Sequence, residues 1–263
     1  MRAGRRRFNV GRLATATDPG TLRCAVAELL ATAIFVFAAE GATHSLGRMY
    51  HDKGMVSGLM AVALAHALAL AAAVACTVNI SGGHVNPAIT FGALLGGRIC
   101  LVRSLVYWTA QLLGAVTGAL LLSLATGGVR LPEYALAGGM NGWHAAVLEA
   151  AMAFGLMYAY YATAMEPPPQ RVHAGMTMAP LAMGLLAGAN VLACGAFDGA
   201  VMNPARAFGP AIVGSRRWGN HWVYWVGPMV GAGLSGVVYE HLVVSPADEE
   251  EPAAPSRGSS RRA

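Results

Sequence analysis

"SGGHVNPAITFG", Ser81–Gly92, lies between two long apolar runs, yet it carries Gly-Gly, a histidine and an Asn-Pro pair. Asparagine is a favoured helix N-cap, and proline is favoured at the first helical position, where no N–H is needed. Asn86-Pro87 therefore starts a helix. The apolar part that follows, "AITFGALLGG", is only ten residues long, whereas a membrane span needs about 20. The segment is expected to enter the bilayer and stop part-way. The irregular backbone before it, "NISGGHV", is tolerated at that depth only inside protein or beside water.

The rest of the chain supports a membrane setting. Of 263 residues, 56 % are hydrophobic and 12 % charged, with a mean hydropathy of +0.50; a soluble domain carries about 25 % charge. Six apolar runs are long enough to span: roughly Thr21–Ala42, Val56–Cys76, Leu101–Leu122, Trp143–Met165, Gly175–Ala196 and His221–Leu242. No short apolar stretch with a cleavage site follows the basic N-terminus, so the first span is read as the insertion signal. Cys24, Cys76, Cys100 and Cys194 show no paired spacing and read as buried small apolar residues.

The net charge of +5 is not a nucleic-acid signature, because the basic residues sit beside the spans. One side carries Arg2, Arg5, Arg6, Arg7, Arg12, Arg23, Arg98, Arg103, Arg171, Arg257, Arg261 and Arg262. The other carries Arg48, Lys53, Arg130, Arg206, Arg216 and Arg217. The excess marks the first side, with both termini, as cytosolic. Residues 1–20 read as a cytosolic tail, 21–243 as the membrane domain and 244–263 as a disordered cytosolic tail. Ser256, Ser259 and Ser260 lie beside arginines in that tail, as phosphorylation sites or as passive solvated residues.

The decisive stretch occurs twice. "NPAITFGALLGGR" from Asn86 matches "NPARAFGPAIVGSR" from Asn203, an offset of 203 − 86 = 117. The same offset carries Tyr107-Trp108 to Tyr224-Trp225, Gly114 to Gly231 and Gly118 to Ser235; Glu28 corresponds to Glu149 with a small shift. Each half, about 21–126 and 140–243, holds three spans and one Asn-Pro-Ala box. Three is odd, so the halves enter from opposite faces, which is the inverted repeat of transport proteins. The fold class is all-α membrane: six transmembrane helices plus two re-entrant half-helices.

Inversion brings the two half-helix N-termini together near the midplane, where both positive dipole ends and both Asn side chains face one point. A water there accepts from Asn86 and Asn203 and donates outward, which breaks a proton wire. Ala110, Gly114 and Gly118, like Gly227, Gly231 and Ser235, are small residues every fourth position that let helices approach closely.

These residues resemble the aquaporin (major intrinsic protein) family. The matches are the two boxes, Asn86-Pro87-Ala88 and Asn203-Pro204-Ala205, within "SGGHVNPAITFGA" and "GAFDGAVMNPARAFGPA". "VALAHALAL", "GANVLA" and "HWVYWVGP" look most like the plant tonoplast intrinsic branch, and "FVFAAEGA" leans toward its seed-type members. The resemblance covers about Thr21–His241. It implies an aquaporin-like fold, a homotetramer with one pore per subunit, a vacuolar membrane, and a second constriction beyond the boxes. By motif that selectivity filter is His66, Val191, Ala200 and Arg206. Tyr134 stands where some ammonia-passing relatives have histidine, which argues against ammonia. Ala207 and the Tyr224-Trp225 pair look like the water-selective branch, which puts glycerol second.

Arg206 aligns with Ile89 across the repeat, so the arginine belongs to one half only. A charge at membrane depth is a functional hypothesis by default. His66, inside "VALAHALALAAA", is a filter residue or a satisfied core histidine. Glu28 and Glu149 are a brace for the re-entrant loops or a proton relay; symmetric placement favours the brace. His84 is read as a loop brace. No nucleophile–base set, phosphate loop, cofactor motif or metal spacing is present in the sequence. The expected function is a passive channel for water, with urea and hydrogen peroxide as further solutes and glycerol or ammonia after them, excluding protons and ions. Its partners are then water, small solutes, lipid and further copies of itself. The alternatives are a proton-coupled transporter using Glu28 and Glu149, for which the absence of any further intramembrane acid is unfavourable, and a structural protein with a closed pore.

Overall fold

A computed structural model describes residues 8–50, 55–128, 131, 134–165, 178–214 and 218–243. The eight α-helices of these residues are α1 (Pro19–Tyr50), α2 (Met55–Thr77), α3 (Pro87–Leu95), α4 (Leu101–Ala125), α5 (Gly142–Tyr160), α6 (Ala179–Asp198), α7 (Pro204–Val213) and α8 (Val223–Val238). Arg130, Arg171, Arg216, Arg217, Lys53 and the serines of the C-terminal tail lie outside the described residues.

Five helices are long and apolar enough to cross a membrane by themselves: α1, α2, α4, α5 and α6. The sixth span is α8, whose 16 α-helical residues continue into a π turn at Tyr239–Val243. A second π turn, Tyr161–Met165, extends α5. The two turns face each other, with Tyr161 stacked on Tyr239 at 5.0 Å between centroids. The largest departure from the expected spans is α1, which runs on to Tyr50 and carries Arg48 in its last turn. Nothing in "GATHSLGRMY" stops it, since single glycines only weaken a helix and no proline follows.

The half-helices are where the sequence puts them. α3 has nine residues and α7 ten, about 14 Å at 1.5 Å per residue, half of a bilayer core. Each begins with asparagine as N-cap and proline at the first position. The Asn86 side chain accepts from Ala88 N–H at 2.8 Å, and that of Asn203 accepts from Ala205 N–H at 2.9 Å.

Packing follows the inverted repeat. α1 lies on α4 through Gly114 and Gly118, which rest on the backbone of Leu29 and Ala33. α5 lies on α8 through Gly227 and Gly231, which rest on Ala146 and Ala150. Each half-helix crosses to the other half: Gly92 of α3 lies against Ala232 of α8, and Gly209 of α7 against Ala115 of α4. These two contacts interchange under the offset of 117. A side chain at Gly231 would fall onto the Ala150 carbonyl. Gly231→Val is therefore expected to lose about 3 kcal/mol or more, as an overpacked core does. A lower unfolding temperature in detergent checks this; an unchanged one contradicts the packing.

The cysteines depart from expectation. Cys76 is exposed and Cys24, Cys100 and Cys194 are half-buried. The reason is the solvent: a span exposes its apolar residues to lipid, so apolar no longer means inside. Leu64, Leu68, Leu113 and Leu185 are exposed on the same grounds.

Candidate functional site

The two loops before the half-helices bend back through conformations that side chains rarely adopt. Val85 and Met202, equivalent across the repeat, both have positive φ, at 55° and 56°. Such strain costs about 1–3 kcal/mol for a non-glycine residue and persists only where its surroundings over-determine it. Here the surroundings are the asparagines. Asn86 Nδ2 donates to the Met202 carbonyl at 2.8 Å, and Asn203 Nδ2 donates to the Val85 carbonyl at 2.9 Å. Each box is thus tied to the loop of the other half, so the two α-helix N-termini meet. One N–H of each amide is used in this tie. The second remains for a solute.

Behind each loop lies a carboxylate. Glu28, fully buried in α1, accepts from His84 N–H (2.9 Å), Val85 N–H (2.7 Å), Ser81 Oγ (2.5 Å) and Gln111 Nε2 (2.8 Å). Glu149, fully buried in α5, accepts from Val201 N–H (2.6 Å) and Met202 N–H (2.5 Å). The backbone pair 84/85 maps onto 201/202 by the repeat offset. Tyr107 OH donates to the Ser81 carbonyl and Tyr224 OH to that of Asp198, a further equivalent pair. His84 lies 2.9 Å from Thr90 Oγ1 and edge-on to Tyr107 and Tyr160. It also borders a cavity of about 230 Å³ with Arg98, Arg103 and Tyr160.

The expected filter residues come from four different segments and are all buried: His66 on α2, Val191 on α6, Ala200 in the second loop and Arg206 on α7. His66 Nδ1–H donates to the Val62 carbonyl at 2.8 Å, which leaves Nε2 without a protein partner. Arg206 Nη1 donates to the Ala200 carbonyl at 2.8 Å. Arg206 is 3 % exposed, so it belongs to the protein interior rather than to the loop charges with which it was counted for orientation.

Sequence reasoning missed a third buried acid, and its statement that no further intramembrane acid exists is wrong. Glu40 of α1 is fully buried, and its Oε1 accepts from Arg206 Nε at 2.9 Å and from Tyr134 OH at 2.5 Å. Tyr134 also lays its ring over the guanidinium at 5.3 Å. Asp198, at the end of α6, is buried too and accepts from Ala200 N–H at 2.9 Å. The signal for Glu40 was a charged residue inside "FVFAAEGA", a run otherwise apolar enough to span; intramembrane charge marks function until shown otherwise. Glu40 is committed to Arg206, and Asp198, like Glu149, holds backbone N–H groups of the second loop.

Residues 15–239 match the family described as Major intrinsic protein. The chain is 65 % identical over 254 residues to "Probable aquaporin TIP3-1" of Oryza sativa subsp. japonica, covering 97 % of this chain and 93 % of that protein. It is 66 % identical over 249 residues to "Aquaporin TIP3-1" of Zea mays, covering 95 % and 94 %. Among solved structures, the aquaglyceroporin from Plasmodium falciparum superposes with a TM-score of 0.69 at 22 % identity, covering 85 % of this chain and 97 % of that one, a likeness of fold. The chain belongs to the major intrinsic protein family, the aquaporins, in their tonoplast intrinsic branch.

Proposed function

We propose that this multi-pass membrane protein is a passive channel for water that also passes small neutral solutes such as urea and hydrogen peroxide. The observation that carries the reading is the reciprocal tie between the boxes, Asn86 to Met202 and Asn203 to Val85. It fixes two helix N-termini and two amide donors at one point. A water passing there is held by donors on both sides and turns its own hydrogens outward, and the dipole ends disfavour cations.

On this reading Asn86, Pro87, Ala88, Asn203, Pro204 and Ala205 form the central constriction. His66, Val191, Ala200 and Arg206 form the filter, with Val191 and Ala200 too small to restrict it to water. Glu28, Glu149 and His84 hold the loops. The carboxylates do not carry protons: Glu28 is occupied by four donors and Glu149 by two backbone N–H groups. A channel domain spanning 21–243 between two cytosolic tails, a vacuolar membrane and a homotetramer complete the proposal. The exposed leucines and valines of the outer helix faces suit lipid and neighbouring subunits.

Proteoliposomes under an isosmotic inward urea gradient test the solute range. Swelling at least about tenfold faster than in empty vesicles is expected, with glycerol slower than urea. Urea swelling no faster than in empty vesicles would restrict the channel to water.

A further inference from the structure

We propose that Glu40 is a positioning residue for selectivity, which together with Tyr134 holds the Arg206 guanidinium against α1 and cancels its charge. The inference rests on the filter role proposed for Arg206. It starts from the donor inventory of that arginine. A guanidinium has five N–H donors in a rigid plane. Nε–H goes to Glu40 Oε1 and Nη1 to the loop carbonyls of Ala200 and Val201. Tyr134 covers the guanidinium face and donates its own hydroxyl to the same Glu40 oxygen. Three sides of the group are therefore fixed, and only the two Nη2 hydrogens remain for a passing solute.

The charge balance follows from the same contacts. Arg206 and Glu40 are both buried, at 3 % and 0 % exposure, and 2.9 Å apart. A buried ion pair presents a dipole to its surroundings, where a lone guanidinium presents a full positive charge. The constriction thus combines a directional donor with little net field, so discrimination there depends on hydrogen-bond geometry and width. Cation exclusion falls to the helix dipoles at the boxes. Glu40 Oε2 has no protein partner although it is buried, and an unpaired buried carboxylate oxygen is costly.

Without Glu40, the buried guanidinium has lost its counter-charge, and the only water within reach is in the pore. It is expected to swing into the lumen and obstruct it. Glu40 would then act through Arg206 alone. A double-mutant cycle on osmotic water permeability in proteoliposomes tests this, with wild type, Glu40→Ala, Arg206→Val and the double variant compared per folded channel. Glu40→Ala is expected to lower the rate about threefold or more in the arginine background. In the Arg206→Val background the same change is expected not to lower it, because it then removes an orphaned carboxylate. An equal fold-loss in both backgrounds, or no loss in the arginine background, overturns the proposal. Glu40→Gln keeps the side-chain shape and an oxygen for Nε; should the alanine variant fail to fold, it supplies the same cycle with a smaller loss confined to the arginine background. A wild type that conducts no water would instead defeat the channel reading itself.

Discussion

Glu28→Leu is expected to leave little or no folded, conducting channel. Four hydrogen bonds are lost at once, from Ser81 Oγ, His84 N–H, Val85 N–H and Gln111 Nε2; only the serine and the glutamine have a second acceptor, in the Thr77 carbonyl and Thr90 Oγ1. A buried donor left unsatisfied costs about 1–3 kcal/mol, so the total is about 4 kcal/mol or more. That approaches the whole margin of about 5–15 kcal/mol that holds a domain folded. The loss falls on the loop that carries Val85 at positive φ. Without its brace the loop relaxes, the Val85 carbonyl leaves Asn203, and the second box loses its tie to the first. Glu28→Gln keeps one oxygen acceptor and is expected to be intermediate. Folded yield by size-exclusion chromatography and water permeability of the survivors check both. If Glu28→Leu folds and conducts like wild type, Glu28 does not hold the loop.

Arg206→Val is the second large effect, and it acts in two directions. Replacing a guanidinium by an isopropyl group widens the filter, so urea permeability relative to water is expected to rise about fivefold or more. At the same time Glu40 is left as a buried carboxylate without its partner, and breaking a buried pair costs about 3–5 kcal/mol. A lower unfolding temperature is therefore expected alongside the wider pore. Unchanged urea flux would contradict the filter assignment, and unchanged stability would contradict the ion pair.

What was legible in the sequence was local or repeated. Asn-Pro before ten apolar residues gives a capped half-helix from chemistry within one turn, and α3 and α7 start where that chemistry puts them. The offset between the boxes relates the two cross-packing contacts, with Gly92 and Gly209 in equivalent positions, but the helix each packs on was seen only in the fold. The Glu40–Tyr134–Arg206 cluster was not legible. Its hydrogen bonds join residues 166 and 94 positions apart, they run from the first half to the second and to the connection between them, and no repeat partner points to them. Tyr134 was noticed as a departure from histidine, but its partner on α1 was not. The π turns that end α5 and α8 were also unforeseen, because they arise where the last turns of two neighbouring spans pack their tyrosines together.

The proposed pore conducts water and is interrupted to protons by the tied Asn-Pro-Ala boxes. The most direct test is stopped-flow shrinkage of proteoliposomes with a pH-sensitive dye sealed inside. Fast shrinkage with a low activation energy and no pH change under an imposed proton gradient is the predicted result. Slow shrinkage accompanied by a solute-driven pH change would contradict it and would make the buried carboxylates the centre of a different mechanism.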